Sequence, residues 1–146
     1  MGADEVTVMM VLANPVSPEQ EQEFNDWYTL VHIPELLELG VAASTRYRLA
    51  DERFGGARRH RYLAVHEIPT GRLDEVLGKI RKAQVAGRMG LSPALDGETA
   101  SLFFFEAITE RFTPERAPAM LADSRYAKGK AKERPAVPLP STGPAE

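Results

Sequence analysis

The chain has 146 residues, no cysteine and a formal net charge of −3. This length predicts one domain with a core of ordinary size, and the missing cysteines exclude a disulfide framework, a thiolate nucleophile and thiolate metal ligands. Residues 1–110 carry 11 Lys and Arg against 17 Asp and Glu, whereas residues 111–146 carry 7 against 4. An acidic globular part without a basic stripe argues against nucleic acid as a partner.

The apolar runs of the chain are short. The longest are residues 6–13 and 101–108, far below the roughly 20 residues that a helix needs to span a membrane. Residues 1–14 lack the basic start and the small-residue cleavage site of a signal peptide. We therefore expect a soluble, cytoplasmic protein with no membrane partner.

The first strand is predicted at residues 5–14, EVTVMMVLAN, which are apolar at both parities and so typical of a strand buried on both faces. Asn14 and Pro15 end it. Ser17 is the predicted N-cap of the following helix, with Pro18 at the first helical position.

Residues 23–40, EFNDWYTLVHIPELLELG, predict a helix that is interrupted beside a histidine. The large apolar residues recur at helical spacing; they are Phe24, Trp27, Tyr28 and Val31. Pro34 offers no N–H to the preceding turn, so we expect the helix to kink or end near His32. A second short helix at residues 34–39 then stops at Gly40.

The remaining elements complete an alternating order. Residues 42–50 and 60–68 read as strands joined by a charged, glycine-containing connection at 51–59. A helix follows at 71–87 and a fourth strand at 100–108. The order βαββαβ predicts the ferredoxin-like α+β fold, one four-stranded antiparallel sheet with both helices on one face.

Two features lie outside that plan. The strands at 6–12 and 102–108 are apolar on both faces, yet two helices cover only one, so a second copy of the sheet is the simplest cover and we expect a homodimer. Residues 111–146 are predicted to be a C-terminal extension of the 1–110 domain, largely disordered from about residue 128. A proline-rich partner ligand or a swapped arm is the alternative for that tail.

The sequence contains no phosphate-binding glycine loop, dinucleotide fingerprint, GxSxG elbow or HExxH motif. His60 and His66 would lie about 20 Å apart on one strand, too far to ligate one ion. A site of His32, His66 and a carboxylate is conceivable, but the strands supply no second carboxylate facing the same way. We predict no metal and no cofactor.

His32 is the strongest candidate for chemistry. At 100° per residue, Asn25, Tyr28 and His32 share the border of the buried helix face. An imidazole, a phenol and a carboxamide in one row favour a lined pocket in which His32 is an acid or base. The structural alternative is a histidine that only satisfies helix-terminal carbonyls and the helix dipole. At such an end the dipole raises the pKa of His32, and desolvation opposes it.

The two central hairpin strands supply the other candidates, and the parity that faces the helix stays open. One parity brings Tyr47, Tyr62 and His66 to a cavity walled by Trp27 and by Phe103 and Phe105, or Phe104. The other brings Arg46 and Arg48 and favours an anionic substrate. Each Tyr or His alone is more often a packing residue. The predicted catalytic residues are His32, Tyr47, Tyr62 and His66, and the predicted substrate-binding residues are Asn25, Trp27, Tyr28, Arg46 and Phe104.

The segment FNDWYTLVHIPELLELGVAASTRYR, residues 24–48, resembles the first helix and second strand of EthD-like members of the dimeric α/β-barrel superfamily. There FNxWYxxxHxPE precedes a proline-glycine turn and an ARRYR-like strand. This chain has Leu39, Gly40 and Val41 at the turn and STRYR in the strand, which retains the arginine at Arg46. The resemblance covers residues 5–110 in element order but only 24–48 in specific motif.

The resemblance implies a homodimer whose two sheets form a barrel, with one pocket per subunit between helices and sheet. Similar folds include muconolactone methylisomerase, olivetolic acid cyclase, cofactor-free quinone-forming monooxygenases and haem-degrading enzymes. In several of them a histidine and a tyrosine handle protons on small cyclic or phenolic compounds. His32 matches the motif histidine, and the tyrosine role falls to Tyr47 or Tyr62.

The first functional hypothesis is a cofactor-independent lyase, isomerase or cyclase for a small, mostly apolar ring compound that carries an enol, phenol, lactone or carboxylate. His32 acts as base or acid, a tyrosine donates to the developing enolate oxygen, and Asn25 with Arg46 orients the substrate. The second is a cofactor-free or haem-dependent monooxygenase of the same fold. The third is a non-catalytic dimer that binds a ligand or serves a pathway as an accessory.

Overall fold

A computed structural model describes residues 5–50 and 60–123 of the chain. The described residues up to Ala107 form one compact unit, and those from Ile108 onward form another. The predicted connection at 51–59 and the predicted disorder from about residue 128 lie outside the described residues.

The first unit contains one antiparallel sheet of four strands. They are β1 (Val6–Ala13), β2 (Ala43–Arg48), β3 (Tyr62–Pro69) and β4 (Ser101–Glu106). Their order across the sheet is β2-β3-β1-β4, so β3 and β1 are the central strands. The predicted α+β, ferredoxin-like architecture is confirmed.

The strand register divides the side chains between two faces. His66 is paired with Met9 on β1 and with Ser44 on β2, and Met9 is paired with Phe104 on β4. Paired residues point to the same face of a sheet, so these four lie on one side. The buried strand residues share this parity; they are Thr7, Met9, Ala13, Tyr62, Ala64, His66 and Ile68. This is the face that the helices cover.

The opposite face is apolar and partly exposed. Val8 is paired with Phe105, and Met10 with Phe103 and Val65. Phe103 and Phe105 remain 48% and 53% exposed. The helices of the first unit therefore leave a row of large apolar side chains on this side without a cover.

The helix that carries His32 is not broken at Pro34. It runs as α1 (Glu21–Trp27), a π-helical turn (Tyr28–His32) and α2 (Ile33–Glu38). The N–H of Ile33 reaches back five residues to the carbonyl of Tyr28. One wide turn shifts the hydrogen-bond register, which is how a helix takes up a residue that has no N–H to give. The helix therefore does not end beside His32, but its regular α-helical hydrogen bonding is interrupted there, and a second short helix follows as predicted.

Gly40 ends this helix in a conformation that other residues avoid. Its φ is +114°, and a Cβ there would lie 2.9 Å from Cγ2 of Val76. The N–H of Val41 donates to the carbonyl of Leu36 at 3.1 Å. A glycine C-cap lets the chain turn from α2 into β2 while it packs closely on the next helix.

The last helix of the first unit is α3 (Leu73–Val85), which follows a 3-10 turn at Thr70–Arg72. Val76 is fully buried, and Leu73, Leu77 and Ile80 pack against the same core. That core joins α2 and α3 to one end of the sheet; its buried members are Met9, Leu36, Val41, Ile68, Val76, Ala83 and Met89. A second cluster lies under α1; its buried members are Ala13, Phe24, Tyr28, Tyr62, Ala64 and Ala94.

The second unit contains a 3-10 turn (Pro114–Arg116) and a short helix, α4 (Ala117–Asp123). Arg116 pairs with Glu110, and its guanidinium lies 5.6 Å from the ring centre of Phe112. No helix in residues 5–50 or 60–123 is long and apolar enough to cross a membrane.

Candidate acid/base site

A cavity of about 220 Å³ lies in the first unit, on the helix-covered face of the sheet. Its walls come from the strands β1, β3 and β4, from the helix that runs from α1 to α2, from α3, and from the loop before β4. The lining residues are Met9, Val11, Trp27, Tyr28, His32, Leu36, His66, Ile80, Gln84, Met89, Leu91, Leu95, Ala100, Ser101 and Leu102. An apolar cavity of roughly 150 Å³ already holds benzene, so this one has room for a small ring compound.

The loop that closes the cavity is tied to the end of β1. The N–H of Val16 donates to the carbonyl of Ala94 at 2.8 Å, and the N–H of Asp96 to the carbonyl of Asn14 at 2.9 Å. Leu95 forms an isolated bridge with Pro15. These backbone bonds hold the loop, and with it the apolar side chains of that wall, against the sheet.

His32 stands between two aromatic rings. Its imidazole is stacked on the indole of Trp27, with centroids 4.7 Å apart, and meets the ring of Tyr28 edge-on at 5.0 Å. Its Nδ1 atom is buried and has no hydrogen-bond partner among the described residues. The side chain is thus held by ring packing and not by a polar bond at Nδ1.

His66 is fully buried beside it and has both nitrogens occupied. Nε2 lies 3.1 Å from the hydroxyl oxygen of Tyr28, and Nδ1 lies 2.7 Å from Oγ of Ser44. A neutral imidazole has one donor and one acceptor nitrogen. When Ser44 donates to Nδ1, Nε2–H donates to Tyr28 and the Tyr28 hydroxyl proton is free to be donated elsewhere. The other tautomer reverses each of these bonds.

Burial keeps these groups uncharged. Desolvation lowers the pKa of His32 from 6.5 to about 4. Desolvation, with a smaller contribution from His32, lowers that of His66 to about 4. Desolvation also raises the pKa of the Tyr28 hydroxyl, against the opposing effect of Arg46. At a helix end the dipole would raise the pKa of His32, whereas desolvation lowers it. Desolvation prevails, because the helix continues past His32 and leaves no free carbonyl end there. We call Tyr28, His32 and His66 the cavity cluster.

A second polar cluster, the arginine network, lies next to the cavity. Arg46 donates from Nη2 to Oδ1 of Asn25 at 2.8 Å and from Nη1 to Oγ1 of Thr29 at 3.0 Å. Asn25 donates from Nδ2 to the Tyr62 hydroxyl at 3.0 Å, and that hydroxyl donates to Glu21. The guanidinium lies 4.6 Å from the ring centre of Tyr28, so it touches the cavity cluster only through an aromatic face.

The structure brings some of the predicted site residues together and separates others. Tyr28, His32, His66 and Trp27 line the cavity. Asn25, Arg46 and Tyr62 are joined in the arginine network and do not line it.

The parity of β2 separates Tyr47 from the site. Tyr47 is paired with Leu63, which places it on the face opposite His66, and it is 53% exposed. Phe103 and Phe105 also lie on that face, whereas Phe104 is on the helix side but does not line the cavity. The tyrosine beside both histidines is therefore Tyr28.

Sequence reasoning missed several contributors. Ser44 holds Nδ1 of His66, and its position directly opposite His66 follows only from the strand register, which the hairpin connection does not reveal. Gln84 and Ser101 also line the cavity. Gln84 lies four residues after Ile80 on α3, so helical spacing places it on the inward side, but no sequence pattern marks Ser101.

A larger groove, of about 310 Å³, lies near the end of β1, lined by polar residues that include Glu21, His60 and Arg61. Its polar groups already have partners: His60 Nε2 lies 2.7 Å from the carbonyl oxygen of Thr99, and Arg61 pairs with Glu21 at 3.4 Å. Among residues 5–50 and 60–123, no three His, Asp or Glu side chains are grouped to hold a metal ion.

No known protein-family profile and no curated protein matches the chain. Among solved structures, the chain is similar in fold to an ethyl tert-butyl ether (EthD) family protein from Bacillus halodurans. The identity is 16%, the TM-score is 0.43, and the match covers 71% of this chain and 99% of the other. At this identity and TM-score the likeness assigns neither a family to the chain nor a role to a residue.

Proposed function

We propose that the protein is a cofactor-independent lyase, isomerase or cyclase that acts on a small cyclic, phenolic or lactone-type compound in the cavity. The observation that carries the proposal is an apolar cavity lined by the imidazole of His32 and by the hydrogen-bonded pair Tyr28 and His66. Buried titratable groups with shifted pKa values in an apolar pocket are typical of acid/base sites.

In the proposed reaction His32 is the general base. Its lowered pKa keeps it unprotonated at neutral pH but also weakens it as a base. The negative charge that develops on the enolate beside it offsets the cost of the buried imidazolium when His32 takes a proton from a carbon next to a carbonyl group. The electron pair of that C–H bond moves toward the carbonyl oxygen. The imidazolium then returns the proton to another carbon in an isomerisation, or to a leaving group in an elimination.

Tyr28 takes the role of hydrogen-bond donor to the developing enolate oxygen. Its raised pKa keeps the hydroxyl protonated, and the tautomer of His66 that accepts from Ser44 leaves that proton free. Donors preset at the point where charge develops stabilise the transition state. Asn25, Arg46 and Tyr62 support the helix that carries Tyr28 and His32 in this proposal, in place of contacting the substrate.

The experiment follows deuterium incorporation by ¹H NMR in D₂O, using enolisable ring ketones and unsaturated lactones as substrates. His32→Ala should lower the catalysed rate by about 10²- to 10⁴-fold. His60→Ala is the matched control, because His60 lies outside the cavity, and should leave the rate unchanged. A rate within about threefold of the wild type in His32→Ala would contradict the assignment of His32.

We also propose that the uncovered sheet face joins two copies in a dimer. Phe103 and Phe105 of β4 lie on that face beside Met10 of the neighbouring strand β1. A large exposed apolar patch is typical of an obligate interface. Analytical ultracentrifugation should give a dimer for the wild type and a monomer for Phe105→Glu. Val85→Glu, on the exposed side of α3, should remain dimeric.

The lack of cysteine is consistent with the cytoplasmic location that we include in the proposal.

A further inference from the structure

We propose that the cavity accepts only uncharged ring compounds and rejects anions and cations alike, which removes carboxylates from the candidate substrates. This inference rests on the proposed function, since it concerns the ligand of the same cavity. Its basis is the composition of the walls: none of the fifteen lining residues is Asp, Glu, Lys or Arg.

The nearest fixed cation does not compensate. Arg46 donates from Nη2 to Asn25 and from Nη1 to Thr29, through bonds of 2.8 and 3.0 Å, and is stacked on the ring of Tyr28. Its Nε atom is buried without a partner among the described residues. Tyr28 lines the cavity and Arg46 does not. A carboxylate in the cavity would therefore give up its hydration without gaining an ion pair.

The imidazoles cannot supply the missing charge without a large penalty. Protonation of His32 would place charge in a buried position where Nδ1 has no acceptor among the described residues. Protonation of His66 would require both of its nitrogens to donate, into Tyr28 and Ser44, at a fully buried position. Both histidines thus resist becoming counter-ions for an anion, and two adjacent imidazolium groups would also repel each other.

The polar groups that remain suit a neutral ligand. Gln84 offers an amide at the wall, and Tyr28 offers a hydroxyl beside His66. A few neutral donors and acceptors in an apolar pocket orient a carbonyl or hydroxyl group, and no charged group has to be desolvated.

The test uses three ring compounds of nearly the same shape at pH 7.5: benzamide (neutral), benzoate (an anion) and benzamidine (a cation). Dissociation constants are measured on the full chain from ¹⁵N and ¹³C shifts of the His32 and His66 rings. Benzamide should bind at least about tenfold more tightly than either charged probe. Benzoate or benzamidine that binds as tightly as benzamide would overturn charge rejection and leave the acid/base function standing.

A variant of the cavity wall sharpens the result. Gln84→Lys places a cation at the rim and should raise the affinity for benzoate about threefold or more, while the matched control Gln84→Met should not. An unchanged benzoate affinity in Gln84→Lys would contradict the idea that missing charge sets the selection. If benzamide produces no saturable shift of either histidine, both the selection and the proposed ligand cavity are wrong. If the cavity still prefers benzamide to the charged probes but His32→Ala leaves the rate unchanged, the acid/base function is wrong and the selection for neutral ligands stands.

Discussion

The cavity cluster and the arginine network lie side by side under the same helix, yet they differ in what holds their buried polar side chains. In the arginine network, Asn25 joins Arg46 on one side to Tyr62 on the other, and Glu21 closes the chain; the Nε atom of Arg46 is buried and has no partner among the described residues. In the cavity cluster, ring packing holds His32, whose buried Nδ1 likewise has no partner among those residues. Several hydrogen bonds fix Arg46 in the fold, whereas His32 lines a cavity and keeps a nitrogen for a bound molecule. The contrast favours a structural role for the arginine network and a functional role for His32.

The largest expected effect is a loss of stability in mild acid, and it belongs to the cavity cluster. Unfolded histidines take up protons near pH 6.5, but burial delays protonation of His32 and His66 to about pH 4. Between those values the unfolded state binds more protons, so stability must fall as the pH falls. Each histidine contributes a slope of up to about 1.4 kcal/mol per pH unit.

Urea unfolding at pH 7.5, 6.5, 5.5 and 5.0 measures this slope while most carboxylates are still ionised. His32→Leu should remove the share of His32 and flatten the curve, and His60→Gln should not. A free energy of unfolding that stays constant from pH 6.5 to 5.0 would show that the two imidazoles are not held uncharged by the fold.

The next largest effect belongs to the arginine network. Asn25→Ala leaves the Arg46 guanidinium and the Tyr62 hydroxyl without their shared partner, and should lower the free energy of unfolding by about 2–4 kcal/mol. Gln22→Ala, which removes only an exposed bond to Asp26, is the matched control and should cost less than about 0.5 kcal/mol. Binding of benzamide should survive Asn25→Ala, since Asn25 does not line the cavity. If Asn25→Ala abolishes benzamide binding without lowering the free energy of unfolding, Asn25 is a substrate-binding residue, as the sequence predicted.

His32→Leu should have a smaller effect of the opposite sign. It removes a buried nitrogen that has no partner in the described part of the chain and keeps an apolar side chain against Trp27, so at pH 7.5 stability should be unchanged or rise by about 1 kcal/mol. The catalysed deuterium exchange should be lost at the same time. A loss of more than about 2 kcal/mol in urea unfolding would instead make His32 a structural residue.

Much of the fold was predictable, because its signals are local. The apolar runs at β1 and β4, the alternation in the hairpin strands and the stripe of α3 each predicted an element within a few residues of its bounds. The order of these elements then restricted the topology. The π-helical turn was not predictable from Pro34, since a missing N–H is compatible with a kink, a stop or a shifted register.

The site was predictable only on the helix. Helical spacing placed Tyr28 and His32 on one border, and both line the cavity. The strand residues depended on register: a shift of one residue in β2 exchanges Tyr47 with Arg46 on the helix side. Ser44 and the cavity wall at Leu91 and Leu95 follow from pairing and from a loop bridge, for which the sequence has no local pattern.

The smallest expected effect tests that register. Tyr47 faces away from the cavity cluster, whereas Tyr28 touches both histidines. Tyr47→Phe should therefore change the deuterium exchange rate by less than about twofold and the stability by less than about 0.5 kcal/mol. Tyr28→Phe, which also removes one hydroxyl, should lower the exchange rate by at least about tenfold, because the donor to the developing enolate is lost. If Tyr47→Phe lowers the rate as much as Tyr28→Phe does, the two faces of the sheet do not divide structural from catalytic tyrosines, and the role assigned to Tyr28 is wrong.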